Sequence, residues 1–317
     1  MRTAQQEIDD RTRLAGTNKF ELLLFRLGGA PGSGQRELFG INVFKVREVL
    51  VMPEITELAN AHVHLMGVAN IRGQIIPVIN LPAVLGCKPT HGLSILMVTE
   101  FGRTVQAFAV EDVREIVRLE WDQVLPAENS HAGALITGIA RLDGANANTR
   151  LAQVLDVEQI LRTVMPVTTE EINREVVGPA LSLPPGSCIL VADDSAVARS
   201  VIELGLKAMG LPYIMTKTGK EAWERLQSTV DTKAQGGPQE KVAVVLTDLE
   251  MPEMDGFTLT RLIKQDPRFK SIPVVIHSSL TGTTNENHVK AVGADAYVAK
   301  FAPRELAATL RAVLEKN

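Results

Sequence analysis

Five polar residues stand where runs of aliphatic side chains end. "CILVADD" finishes on Asp193-Asp194, "VAVVLTD" on Asp248, "IPVVIHSS" reaches Ser278, and "AYVAK" closes on Lys300. Three carboxylates, a hydroxyl and an ammonium are the parts of a phosphoryl site. Carboxylates brought together repel and raise one another's pKa unless a cation sits among them. Hard oxygen ligands suit Mg²⁺, which keeps several waters and so leaves a position for a phosphoryl oxygen. The ammonium can neutralise a second phosphoryl oxygen and the hydroxyl can hydrogen-bond a third. One carboxylate is then free to act as nucleophile and become an acyl phosphate. Singly, each residue has a plainer use: Asp194 as N-cap of a helix beginning at Ser195, Asp255-Gly256 as a turn and cap, Lys300 as a surface charge. The chemical reading requires that the elements carrying them converge.

From Ser187 onward strands and helices alternate. "CILVADD" leads to "SAVARSVIELGLKAMG", "PYIMTK" to "GKEAWERLQST", "VAVVLTD" to "DGFTLTRLIKQ", "IPVVIHSS" to "TNENHVKAVG", and "AYVAK" to "APRELAATLRAVLEKN". Five such units predict a doubly wound parallel α/β sheet with right-handed crossovers and helices on both faces. Functional groups of such sheets gather at the carboxyl ends of the strands. The four strand ends named above therefore meet. "TVDTKAQGGPQEK" is read as a solvated surface insertion.

The first half has a different rhythm. From Phe20 to about Val164 the apolar residues come in short runs broken by Gly, Pro, Asn or charged residues, as in "FELLLFRL", "LFGINV", "GVANIRGQIIPVIN", "SILMVTE" and "VQAFAVEDV". This is the pattern of many short strands. "FKVREVLV" fits a short helix or a strand, "VEQILRTV" a closing helix, and Gly28 to Glu37 a Gly-rich hairpin loop without phosphate-binding spacing. His62 and His64 form an H-x-H pair with no third ligand nearby in sequence. No catalytic set can be assembled here, so this half reads as a binding module. Between the halves, "MPVTTEEINREVVGPALSLPPGS" contains a short polar helix begun by Thr168 or Thr169 and ended near Gly178-Pro179, then a Pro-rich spacer. The expected organisation is a polar segment 1–19, a β domain 20–165, a linker 166–186 and an α/β domain 187–317.

Bulk properties agree. A chain of 317 residues exceeds what one hydrophobic core usually organises. Its formal charge of −4 carries no nucleic-acid footprint, and no basic helix-turn-helix segment is present. Cys87 and Cys188 stand far apart, which excludes a disulfide framework and a cysteine metal site. The polar N-terminus lacks the apolar region of a signal peptide, and the apolar runs fall short of the ~20 residues that span a bilayer. A cytoplasmic protein with no membrane insertion is expected.

Two resemblances follow. "ILVADDSAVAR", "VLTDLEMPEMDGF", "PVVIHSS" and "AYVAKFAPREL" resemble the receiver domain of two-component response regulators, over Ser187 to Asn317. The resemblance implies that Asp248 is the phosphoacceptor, and that Asp193, Asp194 and Asp248 hold Mg²⁺ with the backbone carbonyl of Glu250. It also makes Lys300 the phosphoryl contact, Ser278 the switch hydroxyl and Tyr297 its aromatic partner. The chain departs from the common pattern at Phe301, where proline usually follows the lysine, and at Glu250, from which a side chain influences attack by water on the acyl phosphate.

"FELLLFRL", "FGINVFKVREVL", "GVANIRGQIIPVINLP" and "VQAFAVEDVREIV" resemble the CheW-like adaptor domain of bacterial chemotaxis, which implies two small five-stranded barrels that bridge chemoreceptor tips and the histidine kinase CheA. By position Val46, Glu48, Arg72 and Gly73 match that family's partner-facing surface, and Arg72 at a hairpin tip is also, physically, an exposed forked donor for a partner's acid. A CheW-like domain followed by a receiver is similar to the CheV-type coupling family. The resemblance implies a non-enzymatic scaffold, associated with chemoreceptor arrays and phosphorylated on Asp248 by CheA. A phosphate sink with little switching output uses the same residues. An aspartyl-phosphate phosphatase is disfavoured, because that class carries Asp-x-Asp on its first strand.

Overall fold

The computed structural model describes residues 19–29, 37–101, 104–126, 135–144, 146, 148–165, 172–234, 241–278, 292–300 and 302–315. They divide into two compact units, one up to Thr168 and one from Thr169 onward. Among the described residues no helix is long and apolar enough to cross a membrane.

The first unit is built from strands β1 (Phe20–Arg26), β2 (Leu38–Asn42), β3 (Val46–Val51), β4 (Leu65–Ile71), β5 (Gln74–Asn80), β6 (Ile95–Phe101), β7 (Thr104–Val110), β8 (Asp112–Leu119), β9 (Val124–Pro126), β10 (Ile136–Arg141) and β11 (Leu151–Leu155). Two short helices, α1 (Leu81–Leu85) and α2 (Val157–Val164), complete it. One sheet runs β3-β6-β7-β5-β4 and the other β8-β1-β2-β11-β10-β9. Strands β3 to β7 are thus a continuous insertion between β2 and β8. Among the described residues, the five strands expected in each sheet are found in the first sheet and not in the second. The second has six there, because the three-residue β9, directly after a 3₁₀ turn at Trp121–Gln123, pairs antiparallel with β10. Strand β1 is buried from Phe20 to Phe25, with Glu21 among them paired to Arg118 on β8 at 2.6 Å. "FKVREVLV" resolves into a 3₁₀ turn at Val43–Lys45 followed by strand β3, and "VEQILRTV" is helix α2, capped by Asp156 accepting from the Gln159 N–H.

The second unit opens with helix α3 (Arg174–Val177), followed by β12 (Ser187–Ala192), α4 (Ala196–Met209), β13 (Tyr213–Thr216), α5 (Gly219–Ala234), β14 (Lys241–Thr247), α6 (Gly256–Gln265), β15 (Val274–Ser278), β16 (Ala296–Ala299) and α7 (Pro303–Leu314). Its sheet is parallel throughout, in the order β13-β12-β14-β15-β16. The strand order reverses between β12 and β14, where a crevice opens at the carboxyl edge. Both faces are covered. Ile189, Val191, Leu246, Val275 and Val298 pack under α4 and α7. Leu190, Ala192, Val245 and Val274 pack under α5 and α6. Helix α3 is capped by Asn173 and ends at Gly178; Thr168 and Thr169 lie outside the described residues. So do the helix read in "TNENHVKAVG" up to residue 291, residues 235–240 of the surface insertion, and Phe301.

Candidate phosphoryl site

Alternation along the strands sets the site. Side chains two apart in a strand share a face, and the residue two before each key group belongs to the cluster under α4 and α7: Val191 for Asp193, Leu246 for Asp248, Val298 for Lys300. Val275 likewise precedes His277. Each apolar row therefore ends in a polar group at the carboxyl edge. Asp193 and Asp248 directly follow the two strands that flank the reversal point.

Lys300 joins them. Its Nζ lies 2.7 Å from Asp248 Oδ2 and 3.1 Å from Asp193 Oδ2, and the lysine is 2% exposed, which rules out a surface charge. The other oxygen of Asp248 accepts from the Leu249 N–H at 2.7 Å, while Asp193 Oδ1 accepts from the Ser195 N–H at 3.0 Å. Asp194 is exposed, and α4 is capped instead by Ser195, whose hydroxyl accepts from the Ala198 N–H. The plainer use proposed for Asp194 thus falls to its neighbour. Arg199 Nη1 donates to the carbonyls of both Asp193 and Asp194, at 2.7 and 2.8 Å, and fixes the turn between β12 and α4.

Asp193 and Asp248 share Lys300, and Asp194 stands beside them. One oxygen each from Asp193, Asp194 and Asp248 lies within 4.8 Å of the others. Burial drives the Asp248 carboxyl well above the ordinary aspartate range; Lys300 opposes this, and the charges of Asp193 and Asp194 add to it. Asp193 goes the other way. Burial pushes it up, but Lys300 and His277 outweigh burial and hold it below its ordinary value. Three carboxylates gathered this closely, offering hard oxygens, fit a divalent ion such as Mg²⁺.

The loop after Asp248 is shaped for it. The carbonyl of Asp248 lies where a side chain on Gly256 would begin, 2.0 Å from an added Cβ, so only glycine fits there. Asp255 caps α6, accepting from the Thr258 N–H at 2.6 Å, and here the plainer use is real. Glu253 takes a left-handed φ of 62° in the same turn, and Glu250 is half-buried. Ser278 is 1% exposed, and its carbonyl accepts from the Lys300 N–H at 3.0 Å and the Tyr297 hydroxyl at 3.5 Å. The Tyr297 ring is half-buried against Leu249 and Ile276. His277 was not singled out by the strand-end pattern. Its Nδ1 lies 3.9 Å from Asp193 Oδ2, and a histidine inside an aliphatic strand was the available signal.

In the first unit the β4–β5 turn presents Arg72 and Gly73, with φ of 51° and 83°. The Gly73 N–H donates to Asn70 Oδ1, closing the turn. Arg72 Nη2 pairs with Glu48 Oε2 at 2.8 Å, and Arg47 Nη1 donates to Gln74 Oε1, so side chains link β3 to the hairpin at the far edge of its sheet. Val46 needs correction as a partner-facing residue. It is 4% exposed, because alternation along β3 turns it inward, whereas Val49 and Val51 are exposed.

Comparison with known proteins gives two family matches, the CheW-like domain over residues 21–165 and the response regulator receiver domain over residues 189–311. Chemotaxis protein CheV3 of Helicobacter pylori is 29% identical over 318 residues, spanning 95% of this chain and 96% of that protein. Chemotaxis protein CheY1 of the same organism is 34% identical over 131 residues, spanning 41% of this chain and 98% of that protein. The crystal structure of the scaffolding protein TtCheW from Thermoanaerobacter tengcongensis is 23% identical, with a TM-score of 0.39, and covers 48% of this chain and 96% of its own.

Proposed function

Because the chain belongs to the CheV-type chemotaxis proteins, a CheW-like domain followed by a receiver, we propose that it is an adaptor between chemoreceptors and the histidine kinase CheA whose state is set by phosphoryl transfer from CheA to Asp248. The observation that supports this most is the buried triad of Asp193, Asp248 and Lys300 beside exposed Asp194. Of the three carboxylates, Asp194 is the one exposed to solvent.

In this reading an oxygen of Asp248 attacks the phosphorus of a phosphohistidine. The new P–O bond forms as the P–N bond breaks, and the imidazole leaves and takes up a proton. Asp193, Asp194, Asp248 and the Glu250 carbonyl would hold Mg²⁺, which when bound supplies positive charge for the phosphoryl oxygens. Lys300 exchanges its contact with Asp248 for one with a phosphoryl oxygen. Ser278 supplies a hydroxyl to another, and Tyr297, already half-buried beside Ser278, follows it. Asp248 must be ionised to attack, so charge neutralisation around it is part of the activation.

Among the described residues of the CheW-like unit there is no carboxylate cluster of this kind. Its proposed contribution is the surface around Glu48, Arg72 and Gly73, which would place the protein at receptor arrays. Intact mass after mixing with phospho-CheA and Mg²⁺ tests the reading. Wild type gains one phosphoryl group, Asp248→Ala gains none, and chelator abolishes the gain. An unaltered wild-type mass would leave a constitutive adaptor.

A further inference from the structure

The spacer between the halves is built into the receiver. Val177 is 3% exposed and belongs to the same cluster as Val191, Leu246 and Val298, the residues that precede Asp193, Asp248 and Lys300. Ile172, Val176, Leu181 and Leu183 pack around it. Polar contacts lock the segment at both helices of that face. Arg311 Nη2, on α7, donates to the carbonyls of Val177 and Pro179, and the Leu181 N–H donates to the Met209 carbonyl at the end of α4. Gly178 has φ of 81°, and a Cβ there would sit 3.2 Å from Arg311 Nη2, so the strap and the guanidinium are fitted to each other.

The helix that holds the strap begins three residues after Lys300 of the site. Lys300 directly follows β16, Ala302 is the N-cap residue of α7, and Arg311 lies on α7 about two and a half turns beyond it. A phosphoryl group on Asp248 carries more negative charge than the carboxylate and places it farther out, so it draws Lys300 from its present position between Asp193 and Asp248. Displacement at Lys300 passes along α7 to Arg311, and close-packed contacts respond by shifting between discrete arrangements. We propose that residues 172–183 form a strap on the α4/α7 face, fitted to the resting position of α7, and that phosphorylation of Asp248 loosens it. The inference rests on the phosphoacceptor reading above. Linkage then demands the converse: whatever loosens the strap favours phosphorylation.

The test uses the full chain with Mg²⁺ and acetyl phosphate as donor, and reads intact mass and hydrogen exchange together. In wild type, exchange across 172–183 speeds up with phosphorylation by roughly fivefold or more, the lower end of usual coupling. Asp248→Asn shows no such change. Arg311→Ala and Gly178→Ala, which loosen the strap from opposite sides, speed exchange there without donor and reach a higher phosphorylated fraction than wild type. Retained protection of β12 and β14 certifies that both variants are folded. A wild type that gains the phosphoryl group with unchanged exchange in 172–183 overturns the coupling alone. A wild type that gains no mass overturns the phosphoacceptor reading, and the coupling with it.

Discussion

Two ion pairs of nearly equal length stand in the two halves of the molecule. Lys300 and Asp248 approach to 2.7 Å with side chains 1% and 6% exposed, whereas Arg72 and Glu48 approach to 2.8 Å with side chains 74% and 20% exposed. Distance alone would rank them together. Exposure separates them: water screens the second pair and already solvates both partners, so such pairs are worth about 0–1 kcal/mol. In the receiver, desolvation makes every unbalanced charge expensive, and removing one partner of a buried pair costs about 3–5 kcal/mol. The buried pair is suited to switching when charge is added. The exposed pair is suited to being exchanged for a partner's groups.

The largest expected effect is therefore at Lys300. Lys300→Met leaves two buried carboxylates facing each other and should lower receiver stability by about 3–5 kcal/mol in urea unfolding with chelator present. Gly256→Ala comes next, at roughly 2–3 kcal/mol by the same assay, since its Cβ must displace the Asp248 carbonyl. Asp248→Asn should change sign. The raised Asp248 carboxyl stabilises the metal-free fold while protonated, and that contribution fades as pH climbs through its folded value. At neutral pH the asparagine variant should melt higher by about 4 °C, roughly 1 kcal/mol for a domain of this size. Mg²⁺ should raise the melting temperature of wild type by mass action and move the variant much less. Arg72→Ala is the smallest, within about 0.5 kcal/mol, while pull-down of receptor and kinase should weaken. A stability loss at Arg72 matching that at Lys300 would break the comparison.

The receiver's site is legible in sequence because period-two strands carry their polar ends to one edge, so Asp193, Asp248 and Lys300 can be placed before any coordinates exist. His277 is not, since a histidine in an aliphatic run reads equally as core. Val46 shows the limit of matching by position, which does not give the inward or outward parity of a strand that shifts register between Val46 and Glu48. β9 has three residues, too few for a periodicity to register. The strap hides its apolar residues among prolines and polar side chains, and only tertiary packing reveals Val177 as buried.

The insertion of β3 to β7 between β2 and β8 also orders events in time. A chain emerging from the ribosome completes that five-stranded sheet by Val110, using neighbours close in sequence. The sheet that hosts it must wait, because β2 pairs in parallel with β11, Leu38 against Ala152. Until Ala152 has been synthesised, one edge of β2 stands bare while the inserted sheet is already whole. Such distant pairing is slow and exposes edges to misassembly. Nascent chains released before Leu155 should thus be the aggregation-prone species, with β2 still lacking its β11 neighbour.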